Sequence, residues 1–593
     1  MRPSAPLYTA LLLLASCSTP PRPVAPPPTP AEVARAALAT EVTALSAKAE
    51  ALLRTQDELV WKSWTEGAPG DLAQTYAGTE VWLTPASIDS VQRLRVATQG
   101  ALEQLALTHL HAYLVTEWLA QKTAGLSEEA AKLEETLTFG PAGQEHAYRN
   151  LESLLASERS ALLRKTLYEE ATPAVAKLAD LLAQRRQRTD ALLAELGIPS
   201  TALLAELRDS ELEPLVALAN QVLARTQGAF TTAVSRLSWT ELQLPVERVT
   251  RADIPRLFRL PALGGAFPKA EIFRRAASTL QALGIDVTAM KNVTLDLKET
   301  PGKNPRGLVL GVVIPSDVRV SLLPVGGARD ERETLHQMGH LLCDALSQEK
   351  RWALAKLGNR TVGEAWAFLM EDLTVDSTWL ERVAGLTGDS QVAWRTSADA
   401  QRLFLLRRAA GKVLFNAGAR APGVDVAALY REVMARTYGF PMTAADEARA
   451  ELDREEFLAS ADYLQAFVLA AQLEQQLRGR FGLAWWQEAA AGDWVRKLLA
   501  PGNSETASGL AHAMGLEGLD VEAFLARVPT TLGGALPSAP PSDSTDGGPT
   551  TSEPSALDGG GPPAFPGPDS GPAPIPAENV PDAGAPAAPF DGG

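Results

Sequence analysis

Two histidines, His336 and His340, are separated by three residues in a segment that reads His-Gln-Met-Gly-His. On a helix, residues four apart lie one above the other on the same face, so both imidazoles can reach one zinc ion. The residue after the first histidine is Gln337, whose carboxamide has no basic lone pair at neutral pH. The pattern therefore predicts a metal site without a general base.

The flanking residues indicate a helix that would carry these histidines. Gly326 and Gly327 form a glycine turn, and Asp330 and Glu333 follow three apart, a variant of the capping box that begins helices. An apolar stripe then recurs at helical spacing through Leu335, Met338, Leu342 and Ala345. We expect a helix from about Asp330, with both histidines on the flank of its buried face.

The rest of the chain reads as mainly α with one small sheet. Three β-branched or alternating runs precede the histidines, at 293–297, 307–314 and 318–323. Segments rich in Leu and Ala, with apolar residues three and four apart, predict long amphipathic helices at 31–64, 87–121, 151–196, 211–239, 364–383, 397–414, 424–437 and 453–478. The predicted order is helices, a small sheet, then helices again.

A third metal ligand is suggested by Glu364, which lies 24 residues after His340 at the start of a predicted helix. Two histidines and one glutamate form a zinc set that leaves a fourth position open. The alternative is that Thr361 and Glu364 form a capping box, which would explain the glutamate by the helix terminus alone. Cys343 reads as a small buried core residue, with a fourth soft ligand as its alternative.

A family resemblance rests on two segments. Residues 333–340, Glu-Thr-Leu-His-Gln-Met-Gly-His, with Glu364 downstream, resemble the gluzincin peptidases of the thimet oligopeptidase, oligoendopeptidase and angiotensin-converting enzyme group. Residues 462–469, Asp-Tyr-Leu-Gln-Ala-Phe-Val-Leu, resemble a second family segment, in which Tyr463 falls on a tyrosine that hydrogen-bonds the developing oxyanion.

The resemblance implies a fold, a cofactor and a ligand. We expect a two-lobed helical shell around a peptide-binding channel, with the small sheet next to the zinc-site helix. The chain would divide into an N-terminal helical region at 31–290 and a catalytic-type region at 291–530. Tyr463 would be the oxyanion donor, and the zinc ligands would be His336, His340 and Glu364.

Three positions depart from the family pattern. The family's base is a glutamate where this chain has Gln337, and the family's histidine before the tyrosine is replaced by Asp453. Relatives of the converting-enzyme type carry an outer-shell carboxylate where this chain has Phe368. Loss of such a partner typically weakens metal affinity or activity roughly 10- to 100-fold. The departures predict an impaired peptidase, a pseudopeptidase that retains zinc or peptide binding.

Two alternatives to the impaired peptidase stay open at this point. The first is an active zinc oligopeptidase that uses a displaced base, for which Glu333, Glu371 and Asp344 are the candidates. The second is a metal-free structural helical lipoprotein, in which His336 and His340 are ordinary residues at the edge of the core.

The N-terminal residues predict a lipid anchor. Residues 1–16 combine Arg2, a short apolar run and small residues, as a secretory signal peptide does. The Leu-Ala-Ser-Cys segment that ends at Cys17 resembles a bacterial lipobox, which implies acylation of that cysteine and attachment to a lipid bilayer. A transmembrane anchor from this segment is the alternative reading. We expect a protein of the bacterial cell envelope, anchored in the outer membrane and facing the periplasm or the cell surface.

Two segments of biased composition flank the predicted body. Residues 17–30 hold seven prolines and should form an extended tether. Residues 536–593 are rich in Pro, Gly, Ala, Ser and Asp, which predicts a disordered tail. The tail carries eight acidic and no basic residues, so it supplies half of the formal net charge of −16. The body is only mildly acidic, which does not favour a nucleic-acid partner.

Overall fold

The computed structural model describes residues 29–68, 70–259 and 265–527. Most of these residues are helical, which confirms the mainly α prediction. The helices are, in chain order, α1 (Pro30–Glu66), α2 (Pro85–Ala97), α3 (Ala101–Thr136), α4 (Leu151–Ser157), α5 (Ala161–Glu170), α6 (Thr172–Leu196), α7 (Ser200–Arg208), α8 (Leu212–Leu237), α9 (Ile254–Leu257), α10 (Lys269–Ala282), α11 (Ala328–Leu346), α12 (Trp352–Ala355), α13 (Thr361–Glu371), α14 (Ser377–Trp379), α15 (Gly388–Gly418), α16 (Val426–Tyr438), α17 (Ala444–Glu447), α18 (Ser460–Phe481), α19 (Ala489–Leu499), α20 (Ala507–Ala513) and α21 (Glu522–Arg527).

The strands form two small sheets. The first is an antiparallel pair, β1 (Thr138–Phe139) and β2 (His146–Ala147). The second has three strands in the order β3-β5-β4, and these are β3 (Val293–Asp296), β4 (Leu308–Val313) and β5 (Asp317–Ser321). In it β5 pairs parallel with β3 and antiparallel with β4. The three-stranded sheet matches the predicted one, whereas strands of two residues leave no periodic pattern to detect.

Some predicted helices are interrupted where the sequence pattern continues. The segment 87–121 divides into α2 and α3, because Thr98 and Gly100 are extended. The segment 151–196 divides into α4, α5 and α6, and the hydroxyl of Ser160 caps the start of α5. The last helical turn of α13 continues into a 3₁₀ turn at Asp372–Val375. Hydrophobic spacing alone does not register such breaks, because the apolar residues on both sides stay in phase.

The helix that carries the two histidines occupies the centre of the fold. One side of α11 packs on β4 and β5, and another side packs on α13. In turn α13 packs on α18, and α15 packs on both α18 and α8. These elements share one large hydrophobic core that extends in sequence from Leu204 to Phe524. The histidines therefore lie on a helix that is packed against the core on more than one side.

The first helix contacts the sheet at its C-terminal end. Trp64 Nε1 donates to the carbonyl of Arg306 at 2.9 Å, and the amide of Asn304 donates to the carbonyl of Trp64 at 2.8 Å. Nearly two turns earlier, Glu58 accepts two hydrogen bonds from the Arg319 guanidinium on β5, at 2.7 and 2.8 Å. The end of α1 is thus fixed to the loop that leads into β4.

Within the described ranges, no helix is both long enough and apolar enough to span a lipid bilayer. The predicted signal peptide at 1–16, the acylated Cys17 and the tail at 536–593 lie outside the described residues.

Candidate metal centre

His336 and His340 lie on one face of α11 as their spacing predicts. Their Nε2 atoms are 3.2 Å apart. The two side chains retain 15% and 18% of their exposure, so solvent reaches both rings. A metal ion held here would have an open side.

Glu364, on α13, completes a triangle with the two histidines. Its Oε2 lies 3.7 Å from His336 Nε2 and 3.8 Å from His340 Nε2. A tetrahedral zinc ion with bonds of about 2.0 to 2.1 Å places its ligand atoms about 3.3 Å apart. The observed spacings bracket this value. In the part of the chain that the structure describes, this is the one group of His, Cys, Asp and Glu that could hold a metal ion.

The capping interpretation of Glu364 is wrong. Thr361 is already inside α13, and Arg360 occupies the N-cap position without a side-chain cap. The hydroxyl of Thr361 donates to Asp462 Oδ1 at 3.3 Å on α18. Glu364 Oε2 is buried and accepts no hydrogen bond within the described residues. A buried carboxylate oxygen without a donor is costly, and a cation would offset that cost.

Gly339 lets the two ligand-bearing helices approach closely. A Cβ atom at this position would lie 2.4 Å from Ala367 Cα and 2.4 Å from the carbonyl oxygen of Trp366, both on the backbone of α13. Any larger residue would therefore force α11 and α13 apart. Gly339 sets the helix separation that brings Glu364 to the histidines.

Burial and neighbouring charges shift the pKa values of the three candidate ligands in different directions. Burial lowers the pKa of His340 well below its usual range, and the charges of His336 and Arg360 act in the same direction. Burial raises the pKa of Glu364 against the opposing His336 charge. Burial also acts to lower the pKa of His336, but Glu371 and Glu364 outweigh it and raise that pKa. Metal binding would displace the proton that this cluster otherwise holds.

Glu371 orients the first histidine. Its Oε2 lies 3.1 Å from His336 Nδ1, so the ring donates Nδ1–H and leaves Nε2 for the metal. Burial would raise the pKa of Glu371, but the Arg332 guanidinium and His336 hold it below its usual range. This role of Glu371 was not predicted from the sequence. The available signal was the spacing of seven residues from Glu364, which places both carboxylates on one face of α13.

The amide of Gln337 faces a carboxylate rather than a proton donor. Gln337 Nε2 donates to Glu333 Oε1 at 3.0 Å, and Gln337 is only 1% exposed. A Cβ atom at Gly307, beside the start of β4, would lie 2.7 Å from Gln337 Cγ, so the backbone covers this side chain closely. Glu333 therefore does not cap α11. Asp330, in the first turn of α11, instead accepts the amide proton of Gly326 at 2.8 Å, in the loop that precedes the helix.

Tyr463 lies in the neighbourhood of the triangle. It is part-buried in the first turn of α18, and its ring centroid is 6.3 Å from that of Phe368. Phe368 stacks on Phe467 at 4.1 Å and contacts the His336 ring edge-on at 5.4 Å. An aromatic cluster thus surrounds Phe368, one of the three positions at which the sequence departs from the pattern of the peptidases it resembles.

Asp453 belongs to a separate buried ion network. Tyr430 donates its hydroxyl to Asp453 Oδ2 at 2.8 Å, and the Arg251 guanidinium lies 3.5 Å from the same oxygen. Lys412 Nζ is 4.0 Å from Oδ1. Asp453 holds a 3₁₀ turn, Ala450–Asp453, against α15 and α16, so its contacts give it a structural role.

Two of the displaced-base candidates are engaged elsewhere. Asp344 Oδ2 lies against Gly311 of β4, whose amide donates to it. Glu371 is shared between His336 and Arg332. Cys343, predicted as a buried core residue, is part-buried and packs against the core, where burial raises the pKa of its thiol well above its usual range.

A scan against protein-family models and a search of curated proteins found no match to this chain. Functional assignment therefore depends on the chemistry of the residues described above.

Proposed function

We propose that this protein is a lipid-anchored, zinc-peptidase-like protein that binds zinc and has little hydrolytic power. The observation that carries the proposal is the triangle of His336 Nε2, His340 Nε2 and Glu364 Oε2, with sides of 3.2 to 3.8 Å, beside the amide of Gln337. The triangle fits zinc, and the amide does not fit proton abstraction.

The chemistry of the site divides between the metal and the side chains. A bound zinc ion would supply Lewis acidity, which polarises a carbonyl or a water molecule. Glu371 fixes the His336 ring, and Gly339 fixes the spacing of α11 and α13. Gln337 donates its proton to Glu333 and has no basic lone pair. General acid–base assistance is commonly worth about 100- to 10,000-fold, so hydrolysis is slow by roughly that factor.

The resemblance to the thimet oligopeptidase and angiotensin-converting enzyme group supports the proposal. On that basis the ligand class is peptides, bound in a channel beside the zinc-site helix, and Tyr463 is the oxyanion donor. The lipobox-like segment ending at Cys17 supports attachment to a bacterial membrane.

Metal analysis tests the metal-binding part. Protein purified without added zinc should contain close to one zinc per chain, and His336→Ala should lose it. His512→Ala is the matched control, because His512 is exposed on α20. Wild-type protein that stays metal-free after incubation with excess zinc would instead support the structural lipoprotein.

A second candidate function, an active peptidase, has one observation in its favour. Glu333 Oε1 lies 3.0 Å from the amide nitrogen that occupies the base position, so a carboxylate is close to the site. If Glu333 is the base, the zinc-loaded protein should cleave short peptides at an ordinary rate and Glu333→Gln should abolish the cleavage. Slow cleavage that Glu333→Gln leaves unchanged is the result expected for the impaired enzyme.

A further inference from the structure

A chain of buried charges leads from the metal centre to the last described helix. Glu371 Oε1 accepts from Arg332 Nε at 3.1 Å and lies 3.7 Å from Arg402 Nη1. The same guanidinium of Arg402 is in direct contact with Asp372 Oδ1. Arg527, at the end of α21, contacts the other oxygen of Asp372. The sequence of contacts is thus His336, Glu371, Arg402, Asp372, Arg527.

The side chains along these contacts differ in their exposure to solvent. The side chains of Asp372 and Arg402 are 1% and 4% exposed, and that of Glu371 is 12% exposed. Arg527 is the most accessible member, at 20%. Buried charges interact more strongly than exposed ones, because little water screens them. A change at Arg527 is therefore felt along the chain.

We propose that Arg527 and Asp372 are positioning residues that tune the zinc affinity of the site through Arg402 and Glu371. The inference rests on the proposed function, since it requires that His336, held by Glu371, is a metal ligand. Glu371 divides its negative charge between His336 and the guanidiniums of Arg332 and Arg402. Whatever draws Arg402 away from Glu371 leaves more of that charge on His336.

Because the charges alternate along these contacts, removing Arg527 and removing the charge of Asp372 should change the zinc affinity in opposite directions. Without Arg527, Asp372 interacts with Arg402 alone and draws it from Glu371, so His336 becomes a stronger ligand. Without the charge of Asp372, Arg402 turns to Glu371 and neutralises it, so His336 becomes a weaker ligand. A purely structural role would instead loosen the site in both variants and weaken zinc binding in both.

The protein contains a matched control for the loss of the positive charge of Arg527. Arg478 pairs with Glu474 Oε1 at 2.8 Å, and Arg527 Nε pairs with the other oxygen of the same glutamate, also at 2.8 Å. Arg478 also pairs with Asp376, and within the described ranges no hydrogen bond or ion pair joins it to Asp372 or Arg402. Arg478→Gln therefore removes the same charge from the same neighbourhood, but one glutamate further from Asp372, so its effect on zinc binding should be smaller than that of Arg527→Gln.

The experiment measures the zinc dissociation constant of the full chain by competition with a chromophoric chelator. We expect Arg527→Gln to tighten zinc binding about 3- to 10-fold and Asp372→Asn to weaken it by a similar factor. Arg527→Lys, which keeps the charge, and Arg478→Gln should stay within about twofold of the wild type. In a Glu371→Gln background, Arg527→Gln should have no further effect, because the two residues act in series.

Each contrary outcome has a definite meaning. An Arg527→Gln variant that binds zinc as the wild type does, or more weakly, overturns the inference, and so does an effect that persists without Glu371. Circular dichroism melting checks that Asp372→Asn is folded; if it is not, the sign at Arg527 decides alone. A wild-type protein that binds no zinc overturns the proposed function itself, which this titration shows before any variant is made.

Discussion

Introducing a glutamate at position 337 should not by itself produce peptidase activity, because of Glu333. The amide nitrogen of Gln337 is 3.0 Å from Glu333 Oε1, and Gln337→Glu would place two carboxylates at about that separation. At an effective dielectric constant of about 20, two unit charges 3 Å apart repel by about 5 kcal/mol, which corresponds to about 4 pKa units. The pair will hold one proton at neutral pH.

The shared proton should reside on the new glutamate. Burial raises the pKa of Glu333, but Glu333 is part-exposed and the charge of His336 opposes that rise, whereas position 337 is only 1% exposed. The new carboxyl would then be largely protonated at pH 7 and unable to act as a base. Gln337→Glu should gain little activity at pH 7 and should gain about tenfold per pH unit on going toward pH 9, since its ionised fraction rises in that proportion.

Exchanging the two residues removes the repulsion. The double variant Glu333→Gln, Gln337→Glu keeps one amide and one carboxylate in contact but puts the carboxylate at the base position. We expect it to exceed the wild type by about 100-fold or more in kcat/KM at pH 7, the lower range of general-base catalysis. The assay is hydrolysis of a panel of fluorogenic short peptides by zinc-loaded protein from pH 6 to 9, with Glu333→Gln alone as control.

Two outcomes would refute this reasoning. If Gln337→Glu alone matches the exchanged variant at pH 6 and 7, the two side chains are not coupled as their distance implies. If the exchanged variant binds zinc but hydrolyses no faster than the wild type, the missing base is not what limits this site.

Three further predictions follow from the packing and the charges. Gly339→Ala should destabilise the protein by about 1 to 3 kcal/mol in chemical denaturation and weaken zinc binding, because its Cβ would lie 2.4 Å from the α13 backbone. The control is Gly228→Ala on α8, where a Cβ meets open space, and this variant should be neutral or stabilising. Equal destabilisation by the two variants would contradict the prediction. Glu371→Gln should weaken zinc binding roughly 10- to 100-fold through His336, as measured by chelator competition, and unchanged affinity would show that the 3.1 Å contact does not matter. Burial raises the pKa of Glu117 from 4.5 to about 7, so its contribution to stability is fully present below about pH 4.5 and is lost as the pH rises to about 7. The free energy of unfolding should fall by roughly 3 kcal/mol over that range. Glu117→Gln should flatten this part of the profile of stability against pH, and an unchanged slope would contradict the prediction.

The local parts of the site could be predicted from the sequence because helical spacing is a local property. The positions of His336 and His340 on one face of α11 follow from a separation of four residues. The placement of Glu364 beside the histidines depends on the packing of α11 on α13, and the capping alternative was excluded by the position of Thr361 inside α13 and its contact with Asp462. The two-lobed shell, the channel and the role of Tyr463 stay predictions.

Contacts between residues far apart in the sequence could not be predicted from the sequence. The contact of Glu371 with His336 joins residues 35 positions apart, and the contact of Arg527 with Asp372 joins residues still farther apart. Neither pairing has a periodic signature, because charged residues on α13 and α21 are equally compatible with solvent-exposed faces. The breaks in the predicted helices at 87–121 and 151–196 escaped for a similar reason, as the apolar pattern continues across them.

The first helix has a mechanical consequence for a tethered protein. With 37 residues, α1 is about 55 Å long, and it begins where the predicted tether ends. Its far end holds Asn304 and Arg306, and the next residue, Gly307, lies against Gln337 and Glu333. A pulling force on the N-terminus would therefore be transmitted along α1 to the backbone at Gly307, which covers the side chains of Gln337 and Glu333.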